Sequence, residues 1–370
     1  MVNIFEKAKN SVEATPALVI DLARVRKNLT ELEEHVRPLG IKVRPHTKTH
    51  KSKRLAQEQL DSGSVGLTVA KVGEAEVMAQ VCDDILIAYP IIDPHRSARA
   101  AKLAHDVTVR VALDTKFGID AIANAAKKAG STIGILVDLN VGSNRTGVAT
   151  PQELLELAQH VKQCGKSVRL DGIFFYPGHI WVPADQQPPL LKLVDEMLFE
   201  AKDLFNKSGL CTDIVSGGSR QSAFRSQLIT AQTEIRSGTH IFNDMNTVRV
   251  GACSLDQCAA SIICTVVSNA VAGKVILDAG SKTITSDRNV SQPDSGYGHL
   301  IEYPDAIVSS LSEEHGEIDI RNCKNAPDLG ERVTLIPNHV CPCVNLREQV
   351  WLQTEQGLES IPVDTRGMTT

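Results

Sequence analysis

IGILVDL (133–139), NVGSNRTG (140–147), PQELLELAQHVKQC (151–164) and DGIFF (171–175) run in succession as an apolar strand, a polar loop, an amphipathic helix and a second apolar strand. Pro151 suits a first helical turn, with Thr150 as the N-cap before it. The unit is therefore strand–loop–helix–strand. Outward from it the same rhythm repeats. Strands are expected around 41–45 (IKVRP), 65–69 (VGLTV), 85–89 (ILIAY), 107–113 (VTVRVAL), 213–216 (DIVS) and 234–236 (EIR), with helical text such as 187–207 between them. With 133–139 and 171–175 these make eight strands. Eight strands alternating with helices predict a closed α/β (β/α)₈ barrel of the TIM type. An open doubly wound sheet would carry a glycine fingerprint after its first strand, and none is present.

Beyond about residue 249 the rhythm changes. Segments 260–278, 299–302, 332–337 and 347–353 read as strands, separated by turn-rich text at 286–298 and 323–331. The expected division is a barrel over 17–248, and a β-rich domain from 1–16 and 249–370.

Composition limits the classes of function. With 42% hydrophobic and 22% charged residues the chain is ordinary globular text, and its net charge of −5 disfavours nucleic acid as a partner. No stretch reaches the ~18 apolar residues of a membrane helix, and MVNIFEKAKNSVEATP has no signal-peptide core. Nine scattered cysteines fit reduced thiols, so a cytoplasmic location is expected.

The unusual polar text falls where strands end, which in this kind of barrel is where chemistry sits. SGGS (216–219) and SGTH (237–240) follow strands seven and eight, the loops in which barrels frequently hold phosphate. Gly217, Gly218, Ser219, Gly238 and Thr239 are the expected phosphate cup, glycines letting backbone approach an anion and hydroxyls adding donors. RPHTKTHK (44–51) follows strand one. Neighbouring cations favour a neutral, nucleophilic amine, so Lys48 is the expected Schiff-base lysine, with Lys51 the first alternative. In PNHVCPCVNL (337–346), an extended strand would point His339 and Cys341 the same way, as imidazole and thiolate ligands of a zinc ion. Cys343 would be a third ligand only if the strand ran past Pro342.

Taken together, TPALVIDLARVRKN (15–28), RPHTKTHK, TVAKVGEAE (68–76), GSNRTG (142–147), SGGS, RSGTHIFND (236–244), DAGSKTITSD (278–287), EEHG (313–316) and PNHVC (337–341) resemble the D-threonine aldolase and eukaryotic-type D-serine dehydratase family, over nearly the whole chain. That family has the alanine racemase fold. The resemblance implies pyridoxal 5′-phosphate on Lys48, Arg145 against the pyridine ring, Tyr176 packed beside it, and His179 within reach of substrate. It implies a divalent metal on His339 and Cys341, acting on the 3-hydroxyl of a D-amino acid, and a homodimer. Zinc suits the thiolate; manganese or magnesium would suit a carboxylate in its place. Dehydration and deamination of a D-3-hydroxy amino acid is the first expectation, and retro-aldol cleavage to glycine and an aldehyde the alternative. An amino-acid racemase, with Tyr297 or Tyr303 as second base, and a non-catalytic pyridoxal-phosphate-binding protein rank behind both.

Overall fold

The computed structural model describes residues 4–210 and 213–370; residues 1–3, at the head of the expected β-rich segment, and 211–212, including one of the nine cysteines, lie outside them. The strands are β1 (Ala17–Asp21), β2 (Lys42–Val43), β3 (Leu67–Val69), β4 (Asp84–Ile87), β5 (Thr108–Leu113), β6 (Ile133–Leu139), β7 (Val168–Phe175), β8 (Ile214–Gly217) and β9 (Glu234–Ile235). They continue as β10 (Ala260–Ser268), β11 (Lys274–Leu277), β12 (Gly298–Leu300), β13 (Ile307–Leu311), β14 (Gly316–Asp319), β15 (Arg332–Pro337), β16 (Gln349–Gln353) and β17 (Leu358–Pro362).

Strands β2 to β9 form one parallel sheet in the order β2-β9-β8-β7-β6-β5-β4-β3. Its two edges meet through the parallel bridge His46–Thr68, where the Thr68 amide donates to Pro45 O at 2.9 Å. The sheet is thereby closed into the expected eight-stranded barrel. Helices Val72–Met78, Pro94–Leu103, Lys116–Ala129, Pro151–Gln163 and Gln187–Lys207 connect successive strands. Thr150 caps Pro151–Gln163 through a reciprocal pair with Glu153, and Leu154, Leu155, Ala158 and Val161 turn the buried face of that helix to the barrel.

Alternation along the strands sorts the barrel. Ile85, Ile87, Val109, Val111, Ile133, Ile135, Ile173 and Phe175 pack outward with the helices, while Leu86, Ala112, Leu136 and Phe174 form an apolar layer. A second layer is ionic. Arg44 Nε donates to Glu234 Oε2 (2.8 Å) and its Nη1 to Asp84 Oδ1 (2.7 Å); Arg110 pairs with Asp84 and, at 2.7 Å, with Asp171. These strands are only partly filled by hydrocarbon, and every buried charge in this layer has an opposite partner. Gly172 lies at a register shift in β7; a Cβ there would come within 1.9 Å of the Ile214 carbonyl oxygen, so no larger residue fits.

The other sheet has the order β13-β14-β11-β10-β1-β16-β17, with β15 bridging β10 and β12. β1, at the start of the stretch expected to be barrel, pairs with β10 and β16 here. The single strand expected over 260–278 is two, β10 and β11, turning at Gly273 (φ 78°). Four strands here, β1, β13, β14 and β17, had no expectation of their own; the last three are short and only partly apolar. Phe5, Val19, Ile263 and Ile336 lie at the centre of its core. Contacts cluster into two compact units: residues 31–48, 53–238 and 367–370, and a second made of the segment ending at Thr30, Thr49–Ser52 and Thr239–Arg366. Among the described residues no helix is long and apolar enough to cross a membrane.

One expectation fails at the end of β15. The strand stops at Pro337, and Val340–Asn345 is a short helix with His339 as its N-cap. Pro342 has no amide hydrogen to give a sheet, but a proline is tolerated in a first helical turn. Cys343 consequently points inward, fully buried, its thiol donating to Ile284 O (3.1 Å) and His339 O (3.3 Å). That takes it out of the candidate ligand set.

Candidate active site

At the mouth of the barrel, Lys48 stands in the helical turn Thr47–Thr49 just after β2. Its side chain is exposed, and its amide donates to His46 Nδ1 at 3.3 Å. Tyr176 continues the inner face of β7 two residues beyond Phe174 and packs on the apolar layer. The Arg145 guanidinium lies 4.7 Å from the centre of the Tyr176 ring, a cation–π pair. The loop carrying Arg145 is built by Asn140, whose Oδ1 accepts from the amides of Gly142 and Asn144, both at 3.0 Å. His179 rests against the same loop: a Cβ on Gly142 would stand 2.8 Å from its Nε2. Partial burial holds the His179 imidazole below its ordinary value, which favours the neutral base.

Beneath this pair the barrel holds two buried charges that the sequence reading passed over. Asp138 follows Leu136 on the inner face of β6, and burial pushes its carboxyl up to about 6 against the pull of Thr146 and Arg236. Arg236, just past β9, is wholly buried, and desolvation draws its guanidinium down to about 10. It lies 3.6 Å from the centre of the Phe174 ring and donates to Phe175 O (2.8 Å) and Ser216 Oγ (2.9 Å). A lone aspartate next to the end of IGILVDL was the available signal for Asp138.

The glycines at the end of β8 are demanded by packing. A Cβ on Gly217 would meet the Phe175 ring at 2.1 Å, and Gly218 has φ 85° with Ile235 2.7 Å from where its Cβ would be. Ser219 is buried, its hydroxyl 3.0 Å from Ser222 Oγ. In the loop after β9, immediately before Gly238, the Ser237 hydroxyl is buried without a hydrogen-bond partner. A donor left in that condition costs about 1–3 kcal/mol unless something accepts from it. An anionic group at this glycine-lined turn would.

The second unit holds the His-x-Cys pair. His339 and Cys341 are hydrogen-bonded to each other, brought together by the extended-to-helix turn. His339 Nδ1 donates to Asp287 Oδ2 at 2.8 Å, which fixes the orientation of the ring. Burial opposes a charge on this ring, yet Cys341, Asp244 and Asp287 outweigh it and push His339 up to about 9. Asp244 is buried and accepts from the Val340 amide (3.2 Å) and the Thr247 amide (3.1 Å), tying the His339 helix to the helix Met245–Arg249. Burial raises its own carboxyl. Cys341 Sγ donates to Thr49 Oγ1 (3.4 Å) and lies 3.9 Å from Thr239 Oγ1. Thr49 is the residue after Lys48, and Thr239 the residue after Gly238. Asp287 and Asp244 lie inside quoted motifs, TSD and FND, but nothing in the local text distinguishes a carboxylate behind a histidine from a surface one.

Lys51, the alternative lysine, is buried at φ 53°, its amine donating to Thr365 O at 3.4 Å. Tyr303 donates to the Glu331 carboxylate (2.9 Å), and Tyr297 receives the Arg288 guanidinium (3.1 Å).

A closed parallel barrel joined to a separate, mostly antiparallel sheet is the architecture of alanine racemase-type proteins, and the chain belongs to that family: "Alanine racemase, N-terminal domain" matches residues 20–246. "Putative serine dehydratase domain" matches residues 259–352. The chain is similar to D-threonine aldolase of an Arthrobacter species, 28% identical over 96% of this chain and 93% of that one. It is equally similar, at 28% over 88% of this chain and 90% of the other, to D-threo-3-hydroxyaspartate dehydratase of Delftia sp. strain HT23. The solved structure of the Delftia dehydratase superposes with a TM-score of 0.88 over 96% of this chain and 98% of that chain, at 26% identity. A D-threo-3-hydroxyaspartate dehydratase variant with a cysteine replaced by alanine is known in a metal-free form.

Proposed function

We propose that the chain is a pyridoxal-phosphate- and divalent-metal-dependent lyase of D-3-hydroxy amino acids whose reaction is dehydration with deamination. The observation that carries this is the placement of Cys341, beside His339 and against the threonines that directly follow Lys48 and Gly238. The expected lysine and phosphate turn thus lead straight into the residues that pack on the expected metal pair.

The residues fit both groups. Gly217, Gly218, Ser219, Gly238 and Thr239, with the unpartnered Ser237 hydroxyl, suit a phosphate. Lys48 would hold the cofactor's aldehyde carbon, with Arg145 and Tyr176 flanking its ring. The imidazole of His339, oriented by Asp287, and the Cys341 sulfur form a nitrogen–sulfur donor pair suited to zinc, and two protein ligands leave positions for substrate. When bound, pyridoxal phosphate delocalises the charge that develops at Cα, and the metal polarises the 3-hydroxyl.

The chain's own groups then divide the work. The Lys48 amine takes the α-proton of the D-amino acid. With the 3-hydroxyl lost as hydroxide, hydrolysis of the resulting enamine yields a keto acid and ammonia. In the second reading, supported by the equal similarity to an aldolase, the neutral His179 imidazole takes the 3-hydroxyl proton and the Cα–Cβ bond breaks. The same proposal places the cofactor on the 17–248 stretch and the metal on 249–370, and the enzyme in the cytoplasm as a homodimer.

D-threonine separates the two reactions. Formation of 2-oxobutanoate establishes dehydration, whereas glycine with acetaldehyde establishes cleavage. If neither product forms from D-threonine, D-serine or 3-hydroxy-D-aspartate, the proposal is wrong. Equal rates with and without excess chelator would remove the metal from it.

A further inference from the structure

On the outer helical layer of the barrel, apart from the candidate active-site residues, three donors of different chemistry converge. Asp120 lies on the helix Lys116–Ala129; His160 and Cys164 lie four apart at the end of the neighbouring helix Pro151–Gln163, where Cys164 is the C-cap. Residues at that spacing share a helix face. The Cys164 amide donates to His160 O at 3.2 Å, so the last helical turn fixes their relative position. His160 Nε2 is 2.7 Å from Asp120 Oδ1, and Cys164 Sγ is 3.7 Å from the same oxygen. One ligand atom from each residue lies within 4.8 Å of both others.

We propose that Asp120, His160 and Cys164 form a second metal site, specific for zinc-like divalent ions and separate from His339 and Cys341. Tetrahedral zinc with bonds of about 2.0–2.3 Å separates its nitrogen, oxygen and sulfur ligands by about 3.4–3.6 Å. The sulfur–oxygen pair already has nearly that spacing. The imidazole–carboxylate pair must open by about 0.7 Å to admit the ion. Both side chains can yield: Asp120 is exposed and His160 only partly buried. The fourth corner faces solvent and takes water. A nitrogen–sulfur–oxygen set with one carboxylate selects zinc over magnesium or calcium, which require mostly oxygen. Binding displaces the thiol proton to solvent, and the ion then ties two neighbouring barrel helices together.

The site is tested apart from the active-site metal. In a His339→Gln/Cys341→Ser background, chelator-stripped protein should take up one equivalent of Co(II), used as a zinc probe, with the near-ultraviolet absorption of a thiolate–cobalt bond. Adding Cys164→Ser should abolish that absorption, and adding His160→Gln or Asp120→Asn should weaken uptake at least tenfold. Circular dichroism confirms that the variants fold. No thiolate–cobalt absorption in the background protein, or absorption that survives Cys164→Ser, overturns the proposal. Neither result bears on the lyase reading, whose metal pair is absent from that background.

Discussion

Replacing each of the two candidate lysines isolates the covalent chemistry from the fold. Lys48 is exposed, and its 3.3 Å hydrogen bond to His46 comes from its backbone, so Lys48→Ala keeps it. Its stability should stay within about 0.5 kcal/mol of the parent, a Tm change of about 1–2 °C. Lys51 is the reverse case. Its buried amine donates to the Thr365 carbonyl, and truncation leaves that acceptor unpaired at a cost of about 1–2 kcal/mol, or ~2–8 °C. Functionally the order inverts. Lys48→Ala should lose the absorbance near ~420 nm that borohydride abolishes, and lower turnover of D-threonine by ~10²–10⁴-fold. Lys51→Ala should keep the band. The assays are a thermal melt of the cofactor-free protein and an absorbance scan of the reconstituted one. A band that survives in Lys48→Ala and vanishes in Lys51→Ala refutes the assignment; a large destabilisation of Lys48→Ala refutes the reasoning from exposure.

Three other perturbations follow from the barrel. Glu234→Ala strips Arg44 of one of two partners inside the barrel, where both side chains are about 95% buried, and should cost ~3–5 kcal/mol in urea unfolding; a loss below ~1 kcal/mol would show the ionic layer to be solvated. Asp138 has a folded value of about 6, above the ordinary 3.8. Between those values the folded state binds more protons than the unfolded, so stability should fall as pH rises from 4 to 6.5, by about 3 kcal/mol in all. Asp138→Asn should flatten that slope, and an unchanged slope would assign it to another group. Gly178→Ala places a Cβ 1.9 Å from the Tyr176 ring, which must swing away from Arg145. Cofactor affinity, titrated by the absorbance band, should weaken about tenfold, ~1.4 kcal/mol.

Much of the architecture was legible because period and composition report local burial. IGILVDL and DGIFF, with a capped helix between them, could hardly be anything but parallel strands under helices, and the eight strands recur within a few residues of where the text places them. Legibility dropped where local text is ambiguous. The run 260–278 is apolar enough for one strand, yet Gly273 turns it. PNHVC follows a true strand, but the chain leaves the sheet before His339, and the pair meets through a helix start instead of a shared strand face.

Residue identity, spacing and strand ends were sufficient by themselves to give the barrel, and to nominate Lys48, the glycine turns and the His339–Cys341 pair as candidates for its chemistry. Local sequence carries that information because secondary structure and chemical type are short-range properties. Tertiary structure alone decided that β1 joins the second sheet and that Cys343 is core. It also decided that Asp287 stands behind His339, and that Asp138 and Arg236 share the barrel floor under Tyr176. Each of those facts depends on burial and on partners tens or hundreds of residues away, and no window along the chain contains both members of such a pair.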